Sequence, residues 1–128
     1  MTDFAALDEP LRVDLPWPSS DLRPNAASPG AWRKKQSAAK SYRADCVIVC
    51  RAAGLKRCGA AAAHLSISFH PPDRRRRDLD NMFASIKQGL DAISEVIGVD
   101  DYHFSFTIGR GQPEKGGRVA VAILGDRM

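Results

Sequence analysis

Apolar residues recur along this chain in two rhythms, and the rhythms assign most of its elements. Between 32 and 53, Trp32, Ala39, Tyr42, Cys46, Val49, Cys50 and Ala53 return every three or four positions or a multiple of that step. That is the period of an α-helix, and Gly54 supplies its stop. From 79 to 97, Leu79, Met82, Phe83, Ile86, Leu90, Ile93 and Ile97 keep the same steps, predicting one unbroken second helix that ends at Gly98. Elsewhere the rhythm is two. Val13 and Leu15 flank Asp14; Leu65, Ile67 and Phe69 alternate with Ser66, Ser68 and His70; Tyr102, Phe104, Phe106 and Ile108 alternate with His103, Ser105 and Thr107; Val119, Val121 and Ile123 alternate with small residues. Each run reads as a strand with one buried face. The last two, separated by the turn from 109 to 117, read as a hairpin. Trp32 and Phe104 are expected in the core.

Residues 1–12 show no period and read as a flexible N-terminal arm. Pro16-Trp17-Pro18-Ser19-Ser20 ends the first strand, because two prolines withdraw ladder donors, and opens a long loop that continues to Gly30. Strand, helix, strand, helix, strand, strand predicts an α+β (mixed) fold. Its elements are a small mixed β-sheet of about four strands and two main helices, in a single domain over 1–128.

Size and composition narrow the class. The chain has 128 residues, of which 44% are hydrophobic, enough for one small domain with a core. No run approaches the roughly 18 apolar residues of a membrane span, and Asp3 stands where a secretory signal would carry a base. A cytoplasmic location and no membrane partner are therefore expected. The three cysteines, Cys46, Cys50 and Cys58, are odd in number and fall at no zinc-like spacing with His64, His70 or His103. They are expected as core thiols.

Charge carries more information by position than by sum. Nineteen Lys and Arg face fifteen Asp and Glu, a net +4, which by itself permits almost any soluble basic protein. Resolved along the chain, Arg33, Lys40 and Arg51 form a stripe on the first helix, since intervals of seven and eleven return to nearly one angle. Arg74, Arg75, Arg76 and Arg77 sit in a row beside Asp73, Asp78 and Asp80, and Lys115 and Arg118 flank a Gly-Gly turn. Four adjacent like charges repel unless something anionic meets them. As helix-start residues Asp78 and Asp80 are accounted for by capping and by the helix dipole. Asp100 and Asp101 stand just past the end of the same helix, where a sheet could bring Asp101 back beside Asp78 and Asp80. Three carboxylates so placed need a cation or a shared proton, and as a cation hard oxygen donors select Mg²⁺ or Mn²⁺ over zinc. Such a site among bases suits phosphodiester hydrolysis. Lys87 lies about 10 Å along a continuous helix from Asp80 and either reaches a phosphate or pairs with Asp91 at i,i+4.

With these residues in view, the chain resembles the RusA family of Holliday-junction resolvases. Leu15-Pro16-Trp17-Pro18-Ser19 is similar to that family's opening strand and loop, and the segment from Arg74 to Asn81 to its arginine-rich Asp-x-Asp-Asn signature. Lys87-Gln88-Gly89-Leu90-Asp91-Ala92-Ile93 resembles its Lys-x-x-x-Asp-Ala-Leu helix, Asp100-Asp101 its later acidic pair, and Lys115-Gly116-Gly117-Arg118 the turn before its last strand. The resemblance implies a homodimeric, Mg²⁺-dependent endodeoxyribonuclease that introduces paired nicks in opposed strands of four-way junction DNA. It would need no organic cofactor. It implies Asp78, Asp80 and Asp101 as metal ligands and catalytic residues, with Asp100 as a further candidate ligand and Lys87 as catalytic lysine. Arg33, Lys40, Arg74, Arg75, Arg76, Arg77, Lys115 and Arg118 would contact DNA. One departure stands out: the family's lysine follows the signature Asn by three residues, where this chain has Ala84, and Lys87 follows Asn81 by six. A non-catalytic DNA-binding phage accessory protein and a metal nuclease acting on flaps or forks are the alternatives.

Overall fold

A computed structural model describes residues 10–23 and 31–126. The arm read over 1–12 lies mostly outside the described residues, but its last two, Leu11 and Arg12, belong to the first strand; the loop segment 24–30 lies wholly outside. Four strands, β1 (Leu11–Leu15), β2 (Ala62–His70), β3 (Phe104–Arg110) and β4 (Arg118–Asp126), form one sheet in the order β1-β4-β2-β3. Among the described residues three α-helices accompany it: α1 (Ala31–Ala52), α2 (Leu79–Ser85) and α3 (Lys87–Ile97). The fold is α+β with a mixed sheet, as the alternation and helical periods predict.

Pairing departs from the sequence reading in one respect. β3 and β4 are not a hairpin: β2 lies between them, parallel to β3 and antiparallel to β4. Leu65 pairs with Phe106 on one side and with Ile123 on the other; the buried face expected for the run from Tyr102 is not formed, since Phe106 is exposed and Tyr102 lies exposed in a 3-10 turn before β3. Backbone bonds explain why the connection can cross β2. Gly111 N–H donates to Phe69 O at 2.8 Å and Glu114 N–H to Pro71 O at 2.9 Å, so the segment after β3 is tied over the end of β2 before β4 starts. A parallel β2–β3 pair needs a long crossover, and α2 with α3 supplies it.

The inward faces build one core. Leu15, Leu65, Phe69, Ile123 and Val119 from the sheet, Cys46 and Cys50 from α1, and Ile93 and Ile97 from α3 are fully buried. Cys58 is also buried, so all three cysteines are core thiols. Burial pushes the Cys46 thiol up to about 12 and Cys50 to about 11, which leaves them protonated and unreactive at neutral pH. Trp32 is a correction: it lies 60% exposed near the start of α1, with Arg33 over its ring. Phe104 is half-buried against the core.

The helix expected over 79–97 breaks at Ile86 (φ −102°, ψ 14°). Its two halves serve different partners. Phe83 of α2 meets Phe106 of β3 edge-to-face, ring centroids 5.0 Å apart, whereas α3 lies along α1. There Gly89 lets the backbone approach Leu15 and Tyr42 so closely that a Cβ would sit 3.0 Å from Leu15 Cδ1. Ile86 itself is fully buried at the joint. Gly98 ends α3 in the left-handed conformation (φ 74°), as its position predicts.

Candidate active site

Two acidic groups lie on either side of the α2–α3 joint. The first stands at the arginine loop between β2 and α2. Asp73 organises that loop: its Oδ1 accepts from the Arg75 N–H at 3.0 Å and from Arg77 Nη1 at 2.8 Å. These donors, the Arg77 guanidinium first, hold the Asp73 carboxyl down at about 2. Arg77 is further fixed by lying over the Trp17 ring, 5.7 Å from its centroid, while Arg110 Nη2 donates to the Arg77 carbonyl at 2.9 Å. The four-arginine row therefore divides. Arg77 is a structural residue with a side chain only 24% exposed, and Arg75 on the same carboxylate is 83% exposed. Arg74 and Arg76 are exposed as well.

Asp78 and Asp80 follow directly. Asp78 is the N-cap of α2 by backbone alone: Met82 N–H reaches its carbonyl at 3.1 Å, but the carboxylate makes no capping bond. The capping account of this acid, sufficient from sequence, thus leaves its carboxylate unused. Asp80 Oδ1 accepts from Asn81 N–H at 2.9 Å. Both acids are exposed.

The second group forms where β3 returns beside α3. Asp100 caps a short 3-10 turn, accepting from Tyr102 N–H at 3.0 Å. Asp101 faces Asp91 and Lys87 of α3. Its pKa is raised by partial loss of water and then by the carboxylates of Asp100 and Asp91, with Lys87 pulling the other way. Lys87 Nζ lies 3.8 Å from Asp91 Oδ1. Lys87, Asp91 and Asp101 line one groove of about 430 Å³ with Ala84, Phe83 and Phe106.

This geometry bears on the displaced lysine. Ala84, at the position where a lysine would follow Asn81 by three, and Lys87 line the same groove. The break at Ile86 separates Ala84 on α2 from Lys87 at the first position of α3. Lys87 therefore stands beside Asp101 despite its later place in the chain, and the spacing along a continuous helix does not apply.

Asp101 is brought to Asp91 and Lys87, while Asp78 and Asp80 stand with the arginine loop. Among the described residues no three carboxylate, imidazole or thiolate side chains come together as a ready-made metal site. In chemistry the donors suit a hard divalent cation: they are exposed carboxylates, and the crowding around Asp101 is what positive charge relieves. Asp91 belongs to this group, and its signal in the sequence was the i,i+4 spacing from Lys87.

The remaining bases are distributed over the surface. Arg33, Lys40, Arg51 and Lys115 are exposed. Arg118 is bound by carboxylates, to Glu114 at 2.7 and 3.0 Å and to Asp14 at 2.9 Å, fastening β4 to β1 and to the preceding turn. Both Arg77 and Arg118 thus have internal anionic partners already. No helix among the described residues is long and apolar enough to cross a membrane.

Comparison with known proteins gives two kinds of relative. The chain is 34% identical over 126 residues to an uncharacterized protein of Xylella fastidiosa, covering 95% of this chain and 81% of that protein. It is 32% identical over 114 residues to the crossover junction endodeoxyribonuclease RusA of Escherichia coli K12, covering 87% of this chain and 91% of that enzyme. The RusA of Escherichia coli strain CFT073 matches to the same extent. No family model matches the chain.

Proposed function

The chain belongs to the RusA family of crossover junction endodeoxyribonucleases, and from that premise we propose that it is a metal-dependent endonuclease cutting four-way DNA junctions by paired nicks in opposed strands. The observation that carries the reading is the meeting of Lys87, Asp91 and Asp101 in one groove, with Asp78 and Asp80 exposed at the start of the preceding helix. It supports a site that places a cation-binding acid next to a base able to meet a phosphate.

Asp78, Asp80 and Asp101, which do not stand together as a ready-made site, would be the residues to hold Mg²⁺, or Mn²⁺ in its place, with Asp100 as a neighbouring carboxylate. When bound, the ion polarises the phosphodiester and lowers the pKa of the attacking water. The chain's own residues do the rest. Lys87 carries a compact positive charge that offsets the charge gained by the phosphate oxygens in the transition state. Asp91, one turn further along α3, holds that ammonium toward the groove. Arg74, Arg75 and Arg76 are exposed and meet the backbone of the strand being cut, while Arg33, Lys40 and Lys115 extend the contact over duplex arms. A four-way junction presents two equivalent strands about an approximate two-fold axis, so a homodimer with one site per subunit matches its symmetry.

The test is cleavage of a synthetic four-way junction beside duplex, flap and fork substrates, in Mg²⁺, in Mn²⁺ and in EDTA. Symmetric nicks in the junction only with a divalent ion are expected. Equal cutting of flaps or forks, or cutting in EDTA, would overturn the substrate or the metal assignment respectively.

A further inference from the structure

A cavity of about 670 Å³ opens between the loop that follows β1 and the arginine loop, and the reading above leaves it without a role. Its wall is flat and aromatic on one side, where Trp17 and the overlying Arg77 both line it. Arg23, Arg75 and Arg76 stand around it as cations, and Asn81 and Ser85 of α2 add an amide and a hydroxyl. Asp78 lines it too.

These parts are held rather than loosely assembled. Tyr42 of α1 donates its hydroxyl to the Pro16 carbonyl at 2.7 Å, fixing the residue before Trp17. The Trp17 ring packs edge-on to the fully buried Phe69, centroids 6.4 Å apart, and rests against Gly117. Asp73 pins Arg77 above it. Arg23 Nε is tied to the Ser20 carbonyl at 3.1 Å. Ser85 donates to the Asn81 carbonyl at 2.8 Å, leaving its oxygen as an acceptor.

Chemistry of this kind fits one class of ligand. A planar indole with a guanidinium over it is a surface on which a base stacks irrespective of sequence. An amide that both donates and accepts can read a base edge, and arginines beside it take the phosphate. The volume exceeds what one nucleotide occupies and falls short of a duplex, so the ligand is single-stranded at that point.

We propose that this cavity receives one unstacked nucleotide of the strand being cut, its base on the Trp17–Arg77 surface and its phosphate among Arg23, Arg75 and Arg76. The position of Asp78 in the cavity wall makes this the nucleotide next to the scissile phosphate. The proposal rests on the nuclease reading and adds a positioning and base-discriminating pocket to it. Extruding a base from a stacked arm costs a few kcal/mol and less where stacking is already interrupted. The pocket therefore favours cutting at a branch point over cutting within a duplex.

The test begins without cutting. The chain has two tryptophans, so Trp32→Phe, at an exposed position, leaves Trp17 as the sole tryptophan, excited selectively over the tyrosines. In EDTA that variant is titrated with each of the four deoxynucleoside 5′-monophosphates, with deoxyribose 5-phosphate and with inorganic phosphate. Saturable quenching by nucleotides, at least about tenfold tighter than by deoxyribose 5-phosphate, is expected from stacking. Adding Asn81→Ala should bring the four nucleotides to within about twofold of one another, as the loss of an amide that reads a base edge requires. Equal affinity for nucleotide and deoxyribose 5-phosphate overturns the pocket. On junctions, an abasic residue beside the nick should lower kcat/KM by about tenfold or more, and unchanged cutting overturns the placement. Nucleotide binding in a protein that cuts no junction would sink the nuclease reading and leave the pocket; junction cutting without nucleotide binding would do the reverse.

Discussion

Lys87 Nζ and Asp91 Oδ1 lie 3.8 Å apart across one turn of α3, with Asp101 of the following loop against both. As a surface ion pair this is worth almost nothing, since Lys87 is 69% exposed. Its value lies in orientation. Lys87→Ala should lower junction cleavage by about 10²–10³-fold, the loss seen when a group that stabilises transition-state charge is removed. Junction binding in EDTA should stay near the parental value, because one phosphate contact among many is lost. Asp91→Asn keeps the side chain's shape and frees the ammonium, so it should cost less than Lys87→Ala. Single-turnover rates and gel shifts on the same junction measure both effects, and a Lys87→Ala variant cutting at the parental rate would remove this lysine from the mechanism.

Asp78 and Asp80 separate structural from chemical roles. Because the Asp78 carboxylate caps nothing, Asp78→Asn should leave the melting temperature within about 2 °C of the parent. Cleavage with Mg²⁺ should nonetheless fall to background for both Asp78→Asn and Asp80→Asn, while the far-UV circular dichroism spectrum and binding in EDTA remain. If Asp78→Asn melts well below the parent and loses activity only in proportion to the folded fraction, its role is structural.

Much of this was legible in the sequence, and the exceptions have local causes. Steps of three and four located both helical regions because Cys46, Cys50, Ile93 and Ile97 face one core. The same steps hid the break at Ile86, since a buried residue at the joint is apolar whether or not the helix continues through it. Alternation located β3 and β4 but could not reveal that β2 intervenes, because an inward face has the same pattern beside either neighbour. Trp32 misled by its chemistry: an aromatic residue near a helix start packs inward or lies outward under Arg33, and the period cannot decide. At the site, Asp101 was expected beside Asp78 and Asp80; it stands beside Lys87 and Asp91, while those two acids stay with the arginine loop. Residues near in sequence to a fold's turning points are easier to place than those whose neighbours come from across the sheet. Arg77 differs from its three neighbours because Asp73, four residues earlier, binds it, which a row of like residues does not reveal.

That Asp73–Arg77 contact gives a pH dependence with a definite sign. The folded-state pKa of Asp73, about 2, lies below its ordinary 3.8. Its contribution to stability is therefore fully present above the ordinary value and is lost as pH falls from about 4 through about 2. Trp17 reports the event, because Arg77 lies over its ring. In the Trp32→Phe background, fluorescence should change across that interval, and Asp73→Asn should abolish the change and leave the neutral-pH signal close to that of the acid form. A transition centred near 4, or one that persists in Asp73→Asn, would show that Arg77 is not held by this carboxylate.

Gly117 packs closely against the Trp17 ring that lines the cavity. It adopts φ 71°, a conformation that costs L-residues roughly 1–2 kcal/mol, and a Cβ there would fall 2.9 Å from Trp17 Cγ and 3.1 Å from Pro72 Cδ. The indole cannot withdraw without leaving Phe69, which is fully buried. Gly117→Ala should therefore destabilise the fold by about 2–3 kcal/mol, as backbone strain and overpacking add, measured as a lowered urea midpoint with an unchanged slope. Gly116 makes the useful control: it has a positive φ of 82° as well, but a Cβ there meets nothing within 4 Å. Gly116→Ala should show the conformational cost alone, so the difference between the two variants isolates contact with Trp17 and Pro72. If both lose the same stability, the Gly117 backbone does not support the Trp17 ring, and the rigidity argued for that side of the cavity fails with it.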